Sequence, residues 1–165
     1  LAVLDKMEVV YLEKLHGLHA IGIMSSQVGG RSPAYCTGLG KMLLAYTDPE
    51  HVRTYYENTG LHRYSDSTIQ SIEILMDELI KTRNRCYALD SGEHEAEVHC
   101  IAAPIFSMNN AVIAAISVSG PASRMNPVEA QTELINRTKE AACIISASLG
   151  YRNGQKITVK EGMKS

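Results

Sequence analysis

Residues 90–121 read DSGEHEAEVHCIAAPIFSMNNAVIAAISVSGP, and they are the most informative part of the chain. An acidic segment comes first, and two apolar runs follow it, at about 97–106 and 111–119, on either side of Asn109-Asn110. Asparagine tolerates the left-handed backbone conformation that tight hairpins need. The pattern therefore predicts two antiparallel strands joined by a short turn.

The register of this hairpin decides which side chains share a face. A two-residue turn at Asn109-Asn110 would place Cys100 opposite Ser119 and Ala102 opposite Ser117. Because strand side chains alternate with a period of two, these four residues would then form one small polar patch, a suitable lining for a compact pocket. A three-residue loop would instead separate the cysteine from the serines. Alternatively, the thiol belongs to the core and the serines are half-buried strand residues.

A second feature is the predicted helix start Thr37-Gly38-Leu39-Gly40-Lys41. Glycine inside a helix costs roughly 1 kcal/mol relative to alanine, so two glycines in one turn need a reason. One interpretation is a carboxylate-binding cradle, because a helix N-terminus offers N–H groups and a favourable dipole to an anion. The other interpretation is close packing of the helix on the sheet, where glycine saves space. The residues alone leave both interpretations open.

The rest of the chain predicts strands before this helix and more helices after it. Residues 1–4 and 9–15 read as an antiparallel hairpin, and 19–24 read as a third strand. Residues 27–33 contain two glycines and a proline and read as a loop. Strands followed by helices, then the hairpin and a last helix, predict an α+β fold with one antiparallel sheet and helices on its faces.

Three helices are expected between residues 37 and 85, and a fourth between 126 and 149. Thr37, Asp48 and Asn126 would cap three of them, and Gly60 would end the second. The third ends in a basic turn, which suits a helix C-terminus. The apolar stripes are formed by Leu39, Met42, Leu43 and Tyr46, by Val52, Tyr55 and Tyr56, and by Ile69, Ile72, Leu75, Met76, Leu79 and Ile80.

The acidic segment, residues 90–97, alternates glutamates around His94. A charge run of this kind is typical of a solvated loop. Asp90 differs from the glutamates, because it follows the apolar residues 87–89 and is expected to point inward. In an anion pocket its carboxylate would accept a hydrogen bond from a ligand hydroxyl.

Asp90, His99 and Cys100 are also the residue types of a thiol nucleophile system. Adjacent strand residues face opposite sides, however, so His99 and Cys100 cannot form a nucleophile–base pair, and nothing fixes His94 near the thiol. A metal site made of Asp90, Cys100 and a loop histidine would match no regular ligand spacing. We therefore expect no catalytic residue, no metal site and no cofactor.

Composition limits the class of protein. Apolar residues make up 45% and charged residues 21%, as in ordinary globular domains, while a net charge of -2 argues against a nucleic-acid-binding surface. No run of 18 apolar residues and no signal peptide is visible. The four cysteines lack CxxC spacing and are expected to be free thiols in the cytoplasm.

The first residues, Leu1-Ala2-Val3-Leu4, enter a strand-like run without an initiator methionine. This start is expected of a cut inside a longer protein. Residues 1–150 would form one domain with a sizeable core, and 151–165 a polar C-terminal tail.

Three blocks of the sequence carry a resemblance: GRSPAYCTGLGKMLLA at residues 30–45, YALDSGEHEAEVHCIAAPIF at 87–106 and AAISVSGPASR at 114–124. Together they resemble the C-terminal effector-binding domain of IclR-type bacterial transcription regulators. The resemblance implies a GAF-like, profilin-like fold, in which helices flank a curved antiparallel sheet. It also implies a cytoplasmic dimer or tetramer that meets operator DNA only through an N-terminal winged helix-turn-helix domain absent from this chain.

The same resemblance implies a set of effector-binding residues. The backbone amides of Gly38 and Leu39 would meet a carboxylate, and further contacts would come from polar and apolar side chains, namely Asp90, Cys100, Ser117 and Ser119, with Met24, Leu39 and Val98 as apolar lining. The effector would be a small sugar acid or 2-keto acid, and the whole protein would repress a carbohydrate or sugar-acid catabolic operon. The alternatives are a thiol-dependent enzyme that uses Cys100 and a ligand-free oligomerisation module.

Several positions depart from the family pattern. In the acidic segment these are Ser91, Gly92, Ala96 and Glu97, and in the hairpin turn Asn110 stands where the family usually has glycine. The small residues would loosen the mouth of the pocket and Glu97 would add charge to it. These departures bear on the identity of the ligand more than on the fold.

Overall fold

The structure is a computed structural model, and it describes residues 1–17, 26–126 and 128–152. Six strands lie within these residues: β1 (Ala2–Asp5), β2 (Glu8–Tyr11), β3 (Arg31–Pro33), β4 (Ala88–Ser91), β5 (Val98–Phe106) and β6 (Val112–Pro121). They form one sheet in the order β3-β2-β1-β6-β5-β4. Every pairing in this sheet is antiparallel, as the sequence predicts.

Helices cover both faces of the sheet. Those in the described residues are α1 (Gly38–Leu44), α2 (Pro49–Thr59), α3 (Ile72–Arg85), α4 (Ala122–Met125) and α5 (Val128–Ser148). The first helix, α1, contacts β4, β5 and β6, with α3 behind it, whereas α5 contacts β5 and β6. None of these helices has the length and apolar character that crossing a membrane requires.

Each face of the sheet has its own hydrophobic core, and consecutive residues of β5 belong to different cores. Ala102 belongs to the larger core, with Met42 of α1 and Leu75 of α3. Ala103 points the other way, to a smaller core with Ala142 of α5. The period-two alternation of strand side chains thus places α1–α3 on one face and α5 on the other. The α+β architecture predicted from the sequence is confirmed.

The predictions for the first strands are partly confirmed. The β1–β2 hairpin is present, with Val3 opposite Val10, but its second strand ends at Tyr11 and not at residue 15. Residues 31–33 were expected in a loop and instead form β3, which pairs with β2. Proline is tolerated there because β3 is an edge strand and Pro33 is its last residue. The third predicted strand, residues 19–24, lies outside the described residues.

The hairpin of β5 and β6 combines a longer turn with a bulge. Ser107 donates its N–H to the carbonyl of Ala111 at 2.8 Å, so three residues form the loop, and the last, Asn110, has a φ of 61°. The two-residue turn was therefore wrong. Phe106 pairs with Val112 while Ile105 pairs with Ala114, and this shift inserts one extra residue into β6. The bulge restores the predicted register beyond it.

The helix predictions differ mainly at the ends. Thr37 caps α1, and Gly60 ends α2 with a φ of 76°, both as predicted. Asp48 precedes α2 but makes no side-chain capping bond. The third helix begins after its cap Ser71, so Ile69 precedes it, and Ile80 is 58% exposed and does not belong to the buried stripe. Asn126 was predicted to cap the last helix, but residue 127, between it and α5, lies outside the described residues.

Candidate functional site

Three neighbouring strands bring a carboxyl, a thiol and a hydroxyl group into one row. Cys100 pairs with Asp90 on β4 and with Ser119 on β6. In the next row of the same face, Ala102 lies between Ala88 and Ser117. The predicted pairs of Cys100 with Ser119 and Ala102 with Ser117 are thus confirmed. Strand β4, which the sequence did not predict, adds Asp90 to them.

Helix α1 begins directly above this row. Thr37 Oγ1 accepts a hydrogen bond from Gly40 N at 3.2 Å and donates one to the carbonyl of Pro33 at 3.0 Å, which fixes the first turn. A Cβ at Gly38 would lie 3.2 Å from the Cβ of Cys100. The first backbone N–H groups of a helix have no intrahelical partner, so the first turn of α1 places such groups next to the polar row.

The two glycines of this turn have different roles. A Cβ at Gly40 would lie 2.2 Å from the carbonyl oxygen of Ala34, a distance that no side chain can occupy. Close packing against the preceding loop therefore accounts for Gly40. Gly38 packs against the sheet and also lines the cavity described below, so it serves packing and leaves its backbone within reach of a ligand.

The carboxyl group of Asp90 is buried, with only 4% of the residue exposed. Its Oδ1 accepts a hydrogen bond from the Glu93 N–H at 2.8 Å, and it contacts the Cys100 thiol. Burial raises the pKa of Asp90 to about 7, and the nearby Glu93 carboxylate adds to this rise, while the hydrogen bond and Lys41 oppose it. The inward orientation predicted for Asp90 is confirmed.

A buried ion pair fixes the loop residue that donates its N–H to Asp90. Lys41 of α1 is 2% exposed, and its Nζ donates to Oε1 of Glu93. The prediction that the glutamates of residues 90–97 are solvated is therefore wrong for Glu93, which is 7% exposed. Its backbone carbonyl also accepts from Thr68 Oγ1 at 2.6 Å. The ion pair offsets part of the cost of burying the Glu93 charge, and the bond from Thr68 holds the backbone of this loop.

A cavity of about 570 Å³ lies beside the first turn of α1, and the residues of the polar row form part of its wall. It is lined by seven of the eight residues predicted to bind an effector, namely Gly38, Leu39, Asp90, Val98, Cys100, Ser117 and Ser119. Met24, the eighth, lies outside the described residues. The structure thus brings the predicted residues together around one space.

Sequence reasoning did not assign Tyr11, Lys14 or His94 to this cavity, although all three line it. Lys14 Nζ donates to the carbonyl of Ser26 at 2.6 Å, and the His94 ring lies 4.8 Å from that of Tyr64. The only signal in the sequence was the position of His94 in the acidic segment. Tyr11 and Lys14 reach the cavity through the fold of the β1–β2 hairpin, which no local pattern reveals.

The thiol of Cys100 is not set up for nucleophilic chemistry. Burial raises its pKa to about 12, and the negative charge of Asp90 contributes, so the thiolate is scarcely populated near neutral pH. His99 precedes Cys100 on β5 and pairs with Gly120 of β6. Because strand side chains alternate, the His99 ring points to the face of the sheet opposite the Cys100 thiol. Among the described residues, no group of three or more His, Cys, Asp or Glu side chains is arranged to hold a metal ion.

Comparison with known proteins agrees with this geometry. A family model described as the C-terminal part of the bacterial transcriptional regulator IclR matches residues 1–147. The chain is 36% identical over 151 residues to the HTH-type transcriptional regulator XynR of Escherichia coli (strain K12), covering 92% of this chain and 59% of that protein. It is 37% identical over 127 residues to the transcriptional repressor IclR of the same strain, covering 76% of this chain and 46% of that protein.

One similar solved structure is an IclR homolog from Microbacterium hydrocarbonoxydans complexed with 4-hydroxybenzoate. It superposes with a TM-score of 0.79 at 34% sequence identity, covering 90% of this chain and 58% of that one. The chain thus spans about half the length of the relatives it matches. The likeness confirms the GAF-like α+β fold, and these relatives are transcriptional regulators, not enzymes. The chain belongs to the IclR family of bacterial transcriptional regulators and corresponds to its C-terminal, effector-binding domain.

Proposed function

We propose that the cavity binds a small carboxylate effector, and that the residues around it are those the sequence predicts. The observation that carries the proposal is the row Asp90–Cys100–Ser119, which packs against the first turn of α1 and lines the same cavity. The ligand carboxylate would accept hydrogen bonds from the backbone N–H groups of Gly38 and Leu39. The hydroxyl and carboxyl groups of the sheet would bind the other oxygens of the ligand.

The chemistry of the lining favours a compact, oxygen-rich acid. Ser117, Ser119 and Asp90 offer hydrogen-bonding groups on one face, while Leu39 and Val98 close the apolar side. A small sugar acid has hydroxyl groups along its whole length, and a 2-keto acid has a carbonyl oxygen beside its carboxylate, so either would satisfy this arrangement. The related homolog bound to 4-hydroxybenzoate also holds a carboxylate with an oxygen substituent, which supports the choice of acids as a class.

The experiment is a thermal-shift screen of the 165-residue chain against sugar acids, 2-keto acids and 4-hydroxybenzoate. At a hundredfold excess over the dissociation constant, a ligand that binds only the folded state stabilises it by about 2.7 kcal/mol. For a domain of this size that corresponds to a rise in Tm of about 5 to 10 °C. If none of these acids raises the Tm, the proposal is wrong.

A matched pair of variants locates the binding. Ser119→Ala removes a hydroxyl from the cavity, whereas Ser148→Ala removes an exposed hydroxyl on α5 that bonds only to the carbonyl of Ile144. We expect the first variant to lose about two- to tenfold in affinity, the worth of one hydrogen bond between neutral groups, and the second to bind like the unmodified chain. Equal affinities in all three proteins would place the ligand elsewhere.

We further propose that the whole protein is a cytoplasmic repressor of a carbohydrate or sugar-acid catabolic operon. Its operator DNA would be bound by a separate N-terminal domain, in keeping with the net charge of -2 of this chain and with the greater length of its relatives. The chain itself would associate as a dimer or tetramer. Sedimentation equilibrium of the chain tests the association, and fluorescence anisotropy with duplex DNA tests whether the chain alone leaves DNA unbound at physiological salt.

A further inference from the structure

Asp90 lies where its own charge would oppose the charge of an anionic ligand. It lines the cavity and is 4% exposed, and its Cβ lies 3.7 Å from the position that a Cβ on Gly38 would take. A carboxylate bound at the first turn of α1 would therefore sit within a few ångströms of the Asp90 carboxyl group. Two ionised carboxylates at that separation in a buried site are strongly unfavourable.

The groups packed around Asp90 do not neutralise this charge. From α1, the cation of Lys41 is already engaged by Glu93, so the three groups together carry one negative charge when Asp90 is ionised. Among the described residues, other titratable groups interact with Asp90, lie on the elements packed against it or line the same cavity. They include the thiols of Cys36 and Cys100, the phenol of Tyr11, the imidazole of His99 on the opposite face of β5, the carboxylates of Glu13 and Glu95, and the ammonium group of Lys14, which donates to the carbonyl of Ser26. Burial raises the pKa of both thiols to about 12 and also raises that of Tyr11, so these three groups stay neutral.

The ligand-free site is thus ready to accept a proton near neutral pH, since burial holds the pKa of Asp90 at about 7. Once protonated, the carboxyl group keeps Oδ1 as the acceptor of the Glu93 N–H, and its hydroxyl becomes a donor. A ligand carbonyl oxygen can only accept a hydrogen bond, so it needs this donor. A ligand hydroxyl can donate to the ionised form or accept from the protonated form.

We propose that Asp90 takes up a proton when a carboxylate ligand binds, and that the binding of 2-keto acids depends on this protonated form more strongly than the binding of the corresponding 2-hydroxy acids does. The inference rests on the proposed function, because it requires a carboxylate in this cavity. It assigns Asp90 a role beyond accepting a ligand hydroxyl. The affinity for a 2-keto acid should therefore fall as the pH rises, and the ratio of this affinity to that for the 2-hydroxy acid should fall with it.

His94 provides a competing explanation that the test must separate. It also lines the cavity, and a protonated imidazole would likewise favour an anion at low pH. Burial lowers the pKa of His94, with Glu95 opposing, so the neutral ring dominates at neutral pH. The variants Asp90→Asn and His94→Gln distinguish the two residues, and Asp77→Asn on the exposed side of α3 is a matched control for the first.

The experiment is titration calorimetry of the chain with two matched pairs of acids, pyruvate with lactate and 2-ketobutyrate with 2-hydroxybutyrate. The pH would run from about 5.5 to 8.5, where these acids stay ionised, and paired buffers of different ionisation enthalpy would report proton uptake. We expect uptake approaching one proton per 2-keto acid at about pH 8. We also expect its affinity to fall about tenfold per pH unit above the pKa of Asp90.

The variants should behave differently. In Asp90→Asn the affinity for the 2-keto acid should be nearly independent of pH, and the proton uptake should vanish. His94→Gln and Asp77→Asn should keep both properties of the unmodified chain. Circular dichroism and Tm confirm that each variant is folded, and the uptake measured in the unmodified chain needs no variant at all.

The outcomes separate this inference from the proposed function. If an acid binds with no proton uptake, or if Asp90→Asn keeps the pH dependence, the inference is overturned and the proposed function stands. If none of the four acids binds the folded chain at any pH, the proposed function fails and the inference fails with it.

Discussion

At the scale of single residues, the buried carboxyl group of Asp90 links stability to pH. Its pKa is raised from an ordinary value of 3.8 to about 7, chiefly by burial. A group whose pKa is higher in the folded state contributes stability that is fully present below its unfolded pKa and is lost as the pH rises through its folded pKa. The contribution of Asp90 should therefore disappear between about pH 4 and pH 7.

The variant Asp90→Asn tests this linkage. Because asparagine does not titrate, we expect the variant to gain free energy of unfolding relative to the unmodified chain as the pH rises from about 4 to 8, by on the order of 3 kcal/mol. Urea unfolding at several pH values measures the difference. The control Asp77→Asn, at an exposed position, should show no such trend; a constant difference between Asp90→Asn and the unmodified chain would contradict the account.

Cys86 is a second residue that lowers the stability of the fold, because it adopts a left-handed backbone conformation at the end of α3. Its φ is 58° and its ψ 32°, a region that favours glycine. Its thiol makes only weak contacts, with the Tyr46 hydroxyl at 3.9 Å and the Arg83 carbonyl at 3.6 Å. We expect Cys86→Gly to raise the free energy of unfolding by about 1 kcal/mol, measured by urea denaturation.

Cys143 supplies the matched control for this substitution. It is an exposed cysteine inside α5, where the backbone is already helical. Cys143→Gly should therefore lower the stability by up to about 1 kcal/mol, opposite in sign to Cys86→Gly. Loss of stability in both variants would show that the left-handed conformation at Cys86 is not a source of strain.

At the scale of elements, the ion pair of Lys41 and Glu93 joins α1 to the loop after β4. Its side chains are 2% and 10% exposed, so neither charge is solvated. Removing one partner from a buried pair costs about 3 to 5 kcal/mol, because the other charge is left uncompensated. We expect Lys41→Met to lose that much, and Lys41→Met with Glu93→Gln to recover most of it in denaturant unfolding.

The pH response identifies the cause. Burial already raises the pKa of Glu93, and loss of Lys41, which opposes that rise, should raise it further. Protonation of Glu93 then relieves the defect, so the deficit of Lys41→Met should shrink as the pH falls. A deficit that is the same at low and neutral pH, or additive losses in the double variant, would assign the effect to lost packing instead.

The sequence predicted the elements that repeat a pattern over many residues. The apolar runs around residues 97–106 and 111–119 marked the two longest strands, and the alternation within them placed Cys100 and both serines on one face. The length of the turn was wrong, because a bulge near Phe106 is a local irregularity that no periodicity reveals. The register survived because burial of one face specifies it more strongly than the turn does.

The elements that were missed are short. Strands β3 and β4 have three and four residues, too few for alternation to be recognised, and each exists because a longer neighbour offers it a pairing edge. The Lys41–Glu93 pair joins residues 52 positions apart, and nothing local connects a lysine in an apolar helix with one glutamate of an acidic run. Contacts made by the tertiary fold alone are the part that the sequence did not disclose.

At the scale of the whole molecule, the cavity lies where α1, the sheet and α5 meet, since its lining includes Leu39 of α1, Ser119 of β6 and Ile145 of α5. Helix α5 covers β5 and β6 on one face with small and aliphatic side chains such as Ala142. On the other face, α1 lies close enough to contact β4, β5 and β6, and the cavity opens beside its first turn. A ligand there would contact helix, sheet and the segment after β2 at once, as a sensor requires.

The measurement that tests the central proposal most directly is a crystal structure of the chain with the acid that raises its Tm most. We expect the ligand carboxylate about 3 Å from the backbone nitrogens of Gly38 and Leu39. A second ligand oxygen should lie within hydrogen-bonding distance of Asp90 or Ser119. Side chains filling the cavity, or the acid bound at a different surface, would contradict the account.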